Sequence, residues 1–145
     1  MKLISHRGNI NGPNTVRENS PYYIMEVIAM GYEVEIDIWV KDNLFYLGHD
    51  NLQYSISKEW LNDRIDKLWI HCKNIEAMEW FNISGKFNYF WHQEDTVTLT
   101  SKGYIWAYPG KQPIKNSIAV MPELYNDNLN SCIGICSDYI QNYKK

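Results

Sequence analysis

"YEVEIDIWV", residues 32–40, alternates apolar and acidic side chains along one predicted strand. Successive side chains of a strand point to opposite faces, so this stretch has an apolar face and an acidic face. The apolar face carries Val34, Ile36 and Ile38, and the acidic face carries Glu33, Glu35 and Asp37. Inward-facing carboxylates are costly unless a cation neutralises them, so we expect the acidic face to mark a functional interior. An edge strand with one solvated face is the alternative explanation.

The composition is that of an ordinary globular protein. The chain has 145 residues, of which 45% are hydrophobic and 14% aromatic, so we expect residues 1–145 to form one domain. A net charge of -3 gives no electrostatic reason to bind nucleic acid or anionic membranes. No apolar run approaches the roughly 18 residues of a membrane-spanning helix, and the first residues do not form a secretory signal.

The cysteine pattern is typical of an intracellular protein. Cys72, Cys132 and Cys136 are an odd number of cysteines without a CxxC pair, which favours reduced thiols and a cytoplasmic location. A metal site on Cys132 and Cys136 is the alternative interpretation.

Eight short runs rich in β-branched and aromatic residues are predicted strands. They are KLISH, YEVEIDIWV, LFYLGH, KLWIHCK, FNYFWHQ, GYIWAYP, SIAVMPE and IGICSDYI. Three helices are predicted between them, with Ser20, Ser57 and Asn74 as N-caps, Pro21 at the first position of one helix, and Gly31 and Gly85 as stop signals.

Strands that alternate with helices predict right-handed crossovers and a parallel sheet. Eight such strands predict an α/β fold, a compact (β/α)8 TIM-type barrel. Because such barrels typically take about 250 residues, several helices must be shortened or missing here. An open α/β sheet is the alternative.

All four histidines lie at or near the carboxyl ends of predicted strands, where barrel enzymes place their reactive groups. They are His6, His49, His71 and His92. Taken alone, His92 is best explained as a hydrogen-bonded core residue. His6 and His49 beside Glu35 and Asp37 instead predict a site.

The residue types in this predicted site suit phosphoryl transfer. Carboxylates two positions apart fit an oxygen-preferring cation such as Mg²⁺ or Ca²⁺. Two histidines that titrate near neutral pH can divide the roles of general acid and general base. Arg7 and Lys73 offer positive charge to a phosphate.

Four ordered motifs resemble the first half of the glycerophosphodiester phosphodiesterases, a family of the phospholipase-C-like phosphodiesterase superfamily that folds as TIM barrels. The motifs are ISHRGN, RENS, VEIDIWV and LGHD, and together they span residues 3–50. Weaker similarity extends to WIHCK and to the terminal GICSDYI.

The resemblance implies hydrolysis of a small-molecule phosphodiester, such as a glycerophosphodiester of lipid metabolism, to an alcohol and a phosphomonoester. His6 and His49 would then be the catalytic acid/base pair, and Arg7 would hold the phosphate. Lys73 matches a lysine that follows an acidic metal ligand in the family.

The resemblance also implies a divalent metal held by Glu35 and Asp37, with Glu18 either steadying Arg7 or assisting the metal. The third acidic ligand of the family is His71 here. Mg²⁺ or Ca²⁺ is the first expectation for the metal, and Mn²⁺ or Zn²⁺ is the alternative, because an imidazole in place of a carboxylate removes a negative charge and suits a softer ion. Glu94 or Glu123 is the alternative source of the missing carboxylate.

Other departures leave a second function open. Arg17 replaces the proline of the family's "PENT" motif, and the chain lacks room for the usual insertion over the substrate. A catalytically degenerate barrel that binds phosphorylated headgroups or a protein partner is therefore the alternative. Trp106 either fills the interior or stacks on a choline-like or sugar headgroup. Bare flanks in the second half also suggest a homo-oligomer as a hypothesis.

Overall fold

The computed structural model describes residues 1–145 as one curled mixed sheet with three short helices. The strands are β1 (Lys2–His6), β2 (Glu33–Lys41), β3 (Leu44–Leu47), β4 (Tyr54–Ile56), β5 (Leu68–Cys72), β6 (Asn88–Phe90), β7 (Val97–Leu99), β8 (Ile105–Ala107), β9 (Ser117–Val120) and β10 (Gly134–Ser137). The helices are α1 (Pro21–Ala29), α2 (Lys58–Asn62) and α3 (Ile75–Ser84). None of these helices has the length and apolar character needed to cross a bilayer.

Seven strands form a continuous parallel ladder in the order β6-β5-β2-β1-β10-β9-β8. The remaining three strands are antiparallel additions. The pair β3-β4 extends the sheet from the second half of β2, and β7 pairs with β8. The first and last strands of the chain, β1 and β10, are therefore neighbours near the middle of the ladder.

The predicted (β/α)8 TIM-type barrel is wrong. Its third strand does not follow a crossover helix but returns as a hairpin, with Val40 opposite Phe45. Asp42 and Asn43 connect the two strands with φ values of 51° and 61°. Positive φ at both central residues is the signature of a type I′ hairpin turn.

The second half of the chain departs from the predicted barrel as well. No α-helix lies between β8, β9 and β10, and only a short 3-10 turn at Pro122–Leu124 interrupts those connections. The stretch EDTVTLTSK, which a (β/α)8 barrel would need as a crossover, instead contains β7, which pairs antiparallel with β8. The fold is consequently mostly sheet.

The outer face of the sheet carries the larger core, as the alternation in β2 predicts. Val34, Ile36 and Ile38 are fully buried and pack in one cluster with residues of α1 and α3. The predicted caps of all three helices are confirmed: the side chains of Ser20, Ser57 and Asn74 each accept a backbone N–H of the first turn.

The concave face holds a second, smaller core that shows how strongly the sheet curls. It consists of Ile4, Trp69, Phe90, Trp106, Ile118, Val120 and Cys136. The rings of Phe90 in β6 and Trp106 in β8 lie 4.8 Å apart, although these strands share no backbone ladder. One backbone hydrogen bond also joins β6 to the loop before β8, since the N–H of Ser101 donates to the carbonyl of Tyr89 at 2.8 Å.

The amino end of the concave face is closed by a polar cluster. Lys2 Nζ lies 3.0 Å from Glu33 Oε1, and Trp69 Nε1 donates to Glu33 Oε2 at 2.6 Å. With this end filled, the accessible part of the interior lies at the carboxyl ends of the parallel strands.

Candidate active site

A cavity of about 310 Å³ opens at the carboxyl ends of the parallel strands, and all four histidines line it. The remaining lining residues are Arg7, Glu35, Lys73, Phe90, Gln93, Trp106, Tyr108 and Val120. The structure thus brings together seven of the nine residues predicted for the site. Asp37 lies directly beneath the cavity in contact with Arg7 and His71, and Glu18 lies behind Arg7.

The end of β1 is shaped by a left-handed turn. Arg7 has φ 57° and Gly8 has φ 94°, and the Arg7 N–H donates to the carbonyl of Glu35 at 3.0 Å. A Cβ at position 8 would lie 2.8 Å from Cδ1 of Tyr23, so the position requires glycine. This turn directs the Arg7 side chain towards the carboxylates of β2.

Three potential metal ligands converge because β2 and β5 are parallel neighbours. Alternation places Glu35 and Asp37 on one face, and the register sets Asp37 opposite His71. His71 Nδ1 lies 3.0 Å from Asp37 Oδ1 and 3.7 Å from Glu35 Oε1. One ligand atom from each residue lies within 4.8 Å of the other two, and all three residues are buried.

The free atoms of this cluster fit a divalent cation. His71 Nε2 lies 3.2 Å from the carbonyl of His92, and since a carbonyl can only accept, Nε2 carries a proton, so Nδ1 is the nitrogen that faces the two carboxylates and can bind a cation. Metal-binding histidines are commonly oriented by a bond of this kind. Glu35 Oε2 and Asp37 Oδ1 are buried without a hydrogen-bond partner, which is rare for charged oxygens. Glu35, Asp37 and His71 could together hold a divalent cation.

Asp37 is ionised by its surroundings. Its Oδ2 lies 2.9 Å from Arg7 Nε and accepts a hydrogen bond from Asn19 Nδ2 at 2.9 Å. Burial opposes the charge, but the contacts with His71 and Arg7 outweigh it and hold the pKa of Asp37 far below its ordinary value. Glu35 differs, because burial and the charge of Asp37 raise its pKa.

His6 is held by a carboxylate from the other end of the chain. Its Nδ1 lies 2.8 Å from Asp138 Oδ1, and its Nε2 lies 3.8 Å from Glu35 Oε2. Burial lowers the pKa of His6, but the hydrogen bond to Asp138 and the charge of Glu35 raise it more, so the net direction is upward.

His49 reaches the site through the hairpin. Gly48 follows β3, and its N–H donates to the carbonyl of Asp37 at 3.1 Å, which brings the next residue level with the carboxylates. His49 Nδ1 contacts Asp50 Oδ1 at 2.8 Å, and the ring is partly exposed at the mouth of the cavity. Burial and the positive charge of Arg7 lower the pKa of His49.

Glu18, Glu94 and Glu123 lie outside the potential metal cluster. Glu18 Oε2 lies 3.5 Å from Arg7 Nη1, which is the contact expected if Glu18 steadies Arg7. Glu123 accepts hydrogen bonds from Ser137 and Tyr143, and Glu94 is exposed in a loop. The third residue of the potential metal cluster is therefore His71.

A second, wholly polar cavity of about 260 Å³ adjoins the first and shares Arg7 and His49 with it. The Thr15, Asn51 and Gln53 side chains also line it. The two cavities together leave room on both sides of Arg7.

Asp138, Asn9 and Asn19 contribute to the site but were missed by sequence reasoning. A usable signal existed for Asp138, because it lies near the carboxyl end of the last predicted strand, IGICSDYI, as the histidines do in theirs. Asn9 and Asn19 had no such signal, since their importance depends on contacts with distant residues.

Comparison with protein-family models, with curated proteins and with solved structures gives no match for this chain.

Proposed function

We propose that the protein is a metal-dependent phosphodiesterase that hydrolyses a small phosphodiester to an alcohol and a phosphomonoester. The observation that carries the proposal is the convergence of His71 Nδ1 with the unpartnered oxygens of Glu35 and Asp37 beside two further histidines. Such a group supplies a cation site and an acid/base pair within one cavity.

The metal is the first element of the proposal. Glu35, Asp37 and His71 would hold a divalent ion, which supplies Lewis-acid stabilisation of the negative charge on the phosphate oxygens. One nitrogen and two carboxylates form a mixed ligand set, which favours Mn²⁺ or Zn²⁺ over Mg²⁺ or Ca²⁺.

Proton transfer is assigned to His6 and His49. Asp138 and Glu35 favour protonated His6, so His6 donates a proton to the leaving alcohol oxygen as the P–O ester bond breaks. His49 is favoured in its neutral form and accepts the proton of the attacking water as the new P–O bond forms. One proton enters at His49 and one leaves from His6, so a transfer between the histidines through solvent restores the starting state.

Substrate binding is assigned to positive and aromatic side chains of the same cavity. Arg7 and Lys73 place two cationic groups beside a phosphodiester anion. Trp106 packs between Trp69 and Phe90 and forms an apolar floor against which one ester arm can lie.

The proposal is tested by turnover of bis(p-nitrophenyl) phosphate with Mg²⁺, Ca²⁺, Mn²⁺ or Zn²⁺ and with a chelator. We expect hydrolysis that requires the metal and is fastest with Mn²⁺ or Zn²⁺. Hydrolysis that persists in chelator would reject the role of Glu35, Asp37 and His71. Asp66→Asn is a control, because Asp66 is exposed in the turn that precedes the amino end of β5 and does not line the cavity.

A binding module for phosphorylated headgroups or for a protein partner is the second candidate function. It is favoured by His71, which stands beside Glu35 and Asp37 where a third carboxylate is expected of an active phosphodiesterase. This candidate predicts that inorganic phosphate or glycerol 3-phosphate binds to the metal-loaded protein while no diester is turned over with any of the four metals.

A further inference from the structure

Asn9 lies behind the cavity and contacts two carboxylates that serve different parts of it. Its Nδ2 donates to Asp138 Oδ1 at 2.7 Å and to Glu18 Oε1 at 3.0 Å. Asp138 holds His6, and Glu18 contacts Arg7. A single amide group thus connects the partner of the histidine to the partner of the arginine.

The orientation of this amide is fixed from the opposite side. Asn9 Oδ1 accepts the Asn14 backbone N–H at 3.1 Å and the Tyr23 hydroxyl at 3.2 Å. Its backbone N–H donates to the carbonyl of His6 at 2.9 Å, and its carbonyl accepts the Ser5 hydroxyl at 2.7 Å. Asn9 is fully buried, so every one of its polar groups has a partner and the side chain has one orientation available.

The choice of asparagine follows from these contacts. The site needs two N–H donors towards the carboxylates and an oxygen acceptor towards Asn14 and Tyr23, and a planar amide supplies all of them. An aspartate would lack the donors and would add a third carboxylate beside Asp138 and Glu18. A serine or alanine is too short to reach both carboxylates.

We propose that Asn9 is a positioning residue that sets the place of Asp138, and through it the ring orientation of His6, for proton transfer. The proposal rests on the proposed function for its effect on kcat, but its structural part concerns only the hydrogen bond between His6 and Asp138. Asn9 itself does not line either cavity described above.

The first experiment observes His6 directly and needs no activity. The ring Nδ1–H of His6 is protected from exchange with water by its hydrogen bond to Asp138. It should therefore give a resolved downfield proton resonance that His6→Gln removes. We expect Asn9→Ala to lose or broaden this resonance. Asn74→Ala is the matched control, because it removes an N-cap contact of α3 and destabilises the fold without touching His6. An unchanged resonance in Asn9→Ala would overturn the proposal.

The second experiment measures kcat with bis(p-nitrophenyl) phosphate and saturating Mn²⁺. Asn9→Ala should lower kcat by about 10-fold to 100-fold, the loss typical when a residue that orients a site residue through a hydrogen bond is removed. KM should change little. The double variant with Asp138→Asn should lose no more than Asp138→Asn alone, because Asn9 acts through Asp138. Additive losses would contradict the proposal. If the alanine variant does not fold, Asn9→Ser is measured in both experiments with the same expected directions.

The two experiments separate this inference from the proposed function. If wild type shows no turnover but Asn9→Ala still loses the His6 resonance, the enzymatic proposal is rejected and the positioning role of Asn9 is retained. If wild type turns over the substrate and Asn9→Ala keeps both the His6 resonance and the wild-type kcat, the positioning role is rejected and the enzymatic proposal is retained.

Discussion

His6 and Asp138 are 132 positions apart in the chain, yet His6 Nδ1 lies 2.8 Å from Asp138 Oδ1. The register of the sheet explains this contact. Ser5 in β1 is paired with Ser137 in β10, so the next residue of each parallel strand leaves the ladder side by side. The cavity is therefore built from both ends of the chain and depends on the pairing of β1 with β10.

The contact between His6 and Asp138 predicts a stability effect at acid pH. Burial raises the pKa of Asp138, but its bonds with His6 and Asn9 outweigh burial and lower it below the ordinary value. The unfolded chain then binds the proton first, so the contribution of Asp138 is present above about pH 4 and is lost as the pH falls through the folded-state pKa. Asp138→Asn should be less stable than wild type at pH 7, and the difference should shrink below pH 4.

Urea denaturation across this pH range measures the effect. Asp66→Asn, at an exposed carboxylate without side-chain partners, serves as the control. A wild type and an Asp138→Asn variant of equal stability at every pH would show that the carboxylate is not held as described.

The cluster of Glu35, Asp37 and His71 predicts a metal-dependent melting temperature. An ion that binds only the folded state at 100 times its Kd adds about 2.7 kcal/mol of stability. The melting temperature of wild type should rise with Mn²⁺ or Zn²⁺ and return with chelator, whereas Asp37→Asn and His71→Ala should not respond. Glu123→Gln should respond like wild type, because Glu123 bonds to Ser137 and Tyr143 instead.

The same cluster predicts how the metal preference can be changed. His71→Asp replaces the imidazole by a carboxylate and should shift the preference towards Mg²⁺ and Ca²⁺. Calorimetric titration of wild type and His71→Asp with Mg²⁺ and Mn²⁺ measures the shift. If the ratio of the Kd for Mg²⁺ to the Kd for Mn²⁺ is the same in both proteins, His71 is not a metal ligand.

The turn after β1 predicts unequal effects for two glycines with similar backbone angles. Gly8 and Gly31 have φ values of 94° and 95°, but a Cβ would clash with Tyr23 only at Gly8. Gly31→Ala should cost about 1–2 kcal/mol for the left-handed conformation. Gly8→Ala should cost about 1–3 kcal/mol more than Gly31→Ala, because the added Cβ overpacks against Tyr23. Equal losses in free energy of unfolding would contradict the close packing of Tyr23.

The sequence predicted the face alternation of β2 correctly because one strand with two chemically distinct faces contains its own signal. It did not lead to the right topology. The two residues Asp42 and Asn43 between apolar runs are a hairpin signal, but the assumption of one helix after every strand hid it. Shortened or missing helices were predicted, but as part of a closed barrel and not of a curled mixed sheet.

Most of the predicted site residues come together although the predicted barrel is wrong, because polar side chains follow strand ends in either topology. His49 illustrates this point, since an antiparallel hairpin carries it to the place expected from a parallel strand. Asn9 and Asn19 could not be found in this way. Their roles depend on hydrogen bonds to Asp138 and Asp37, and only the folded sheet brings these pairs together.

The central claim, metal-dependent proton transfer by His6 and His49, is tested most directly by hydrolysis of bis(p-nitrophenyl) phosphate. We predict that wild type with Mn²⁺ or Zn²⁺ releases p-nitrophenol. Chelator, His6→Ala and His49→Ala should each lower the rate by at least about 100-fold. Both variants should still show a melting transition, which establishes that they are folded. A rate near that of wild type in both histidine variants would contradict the account.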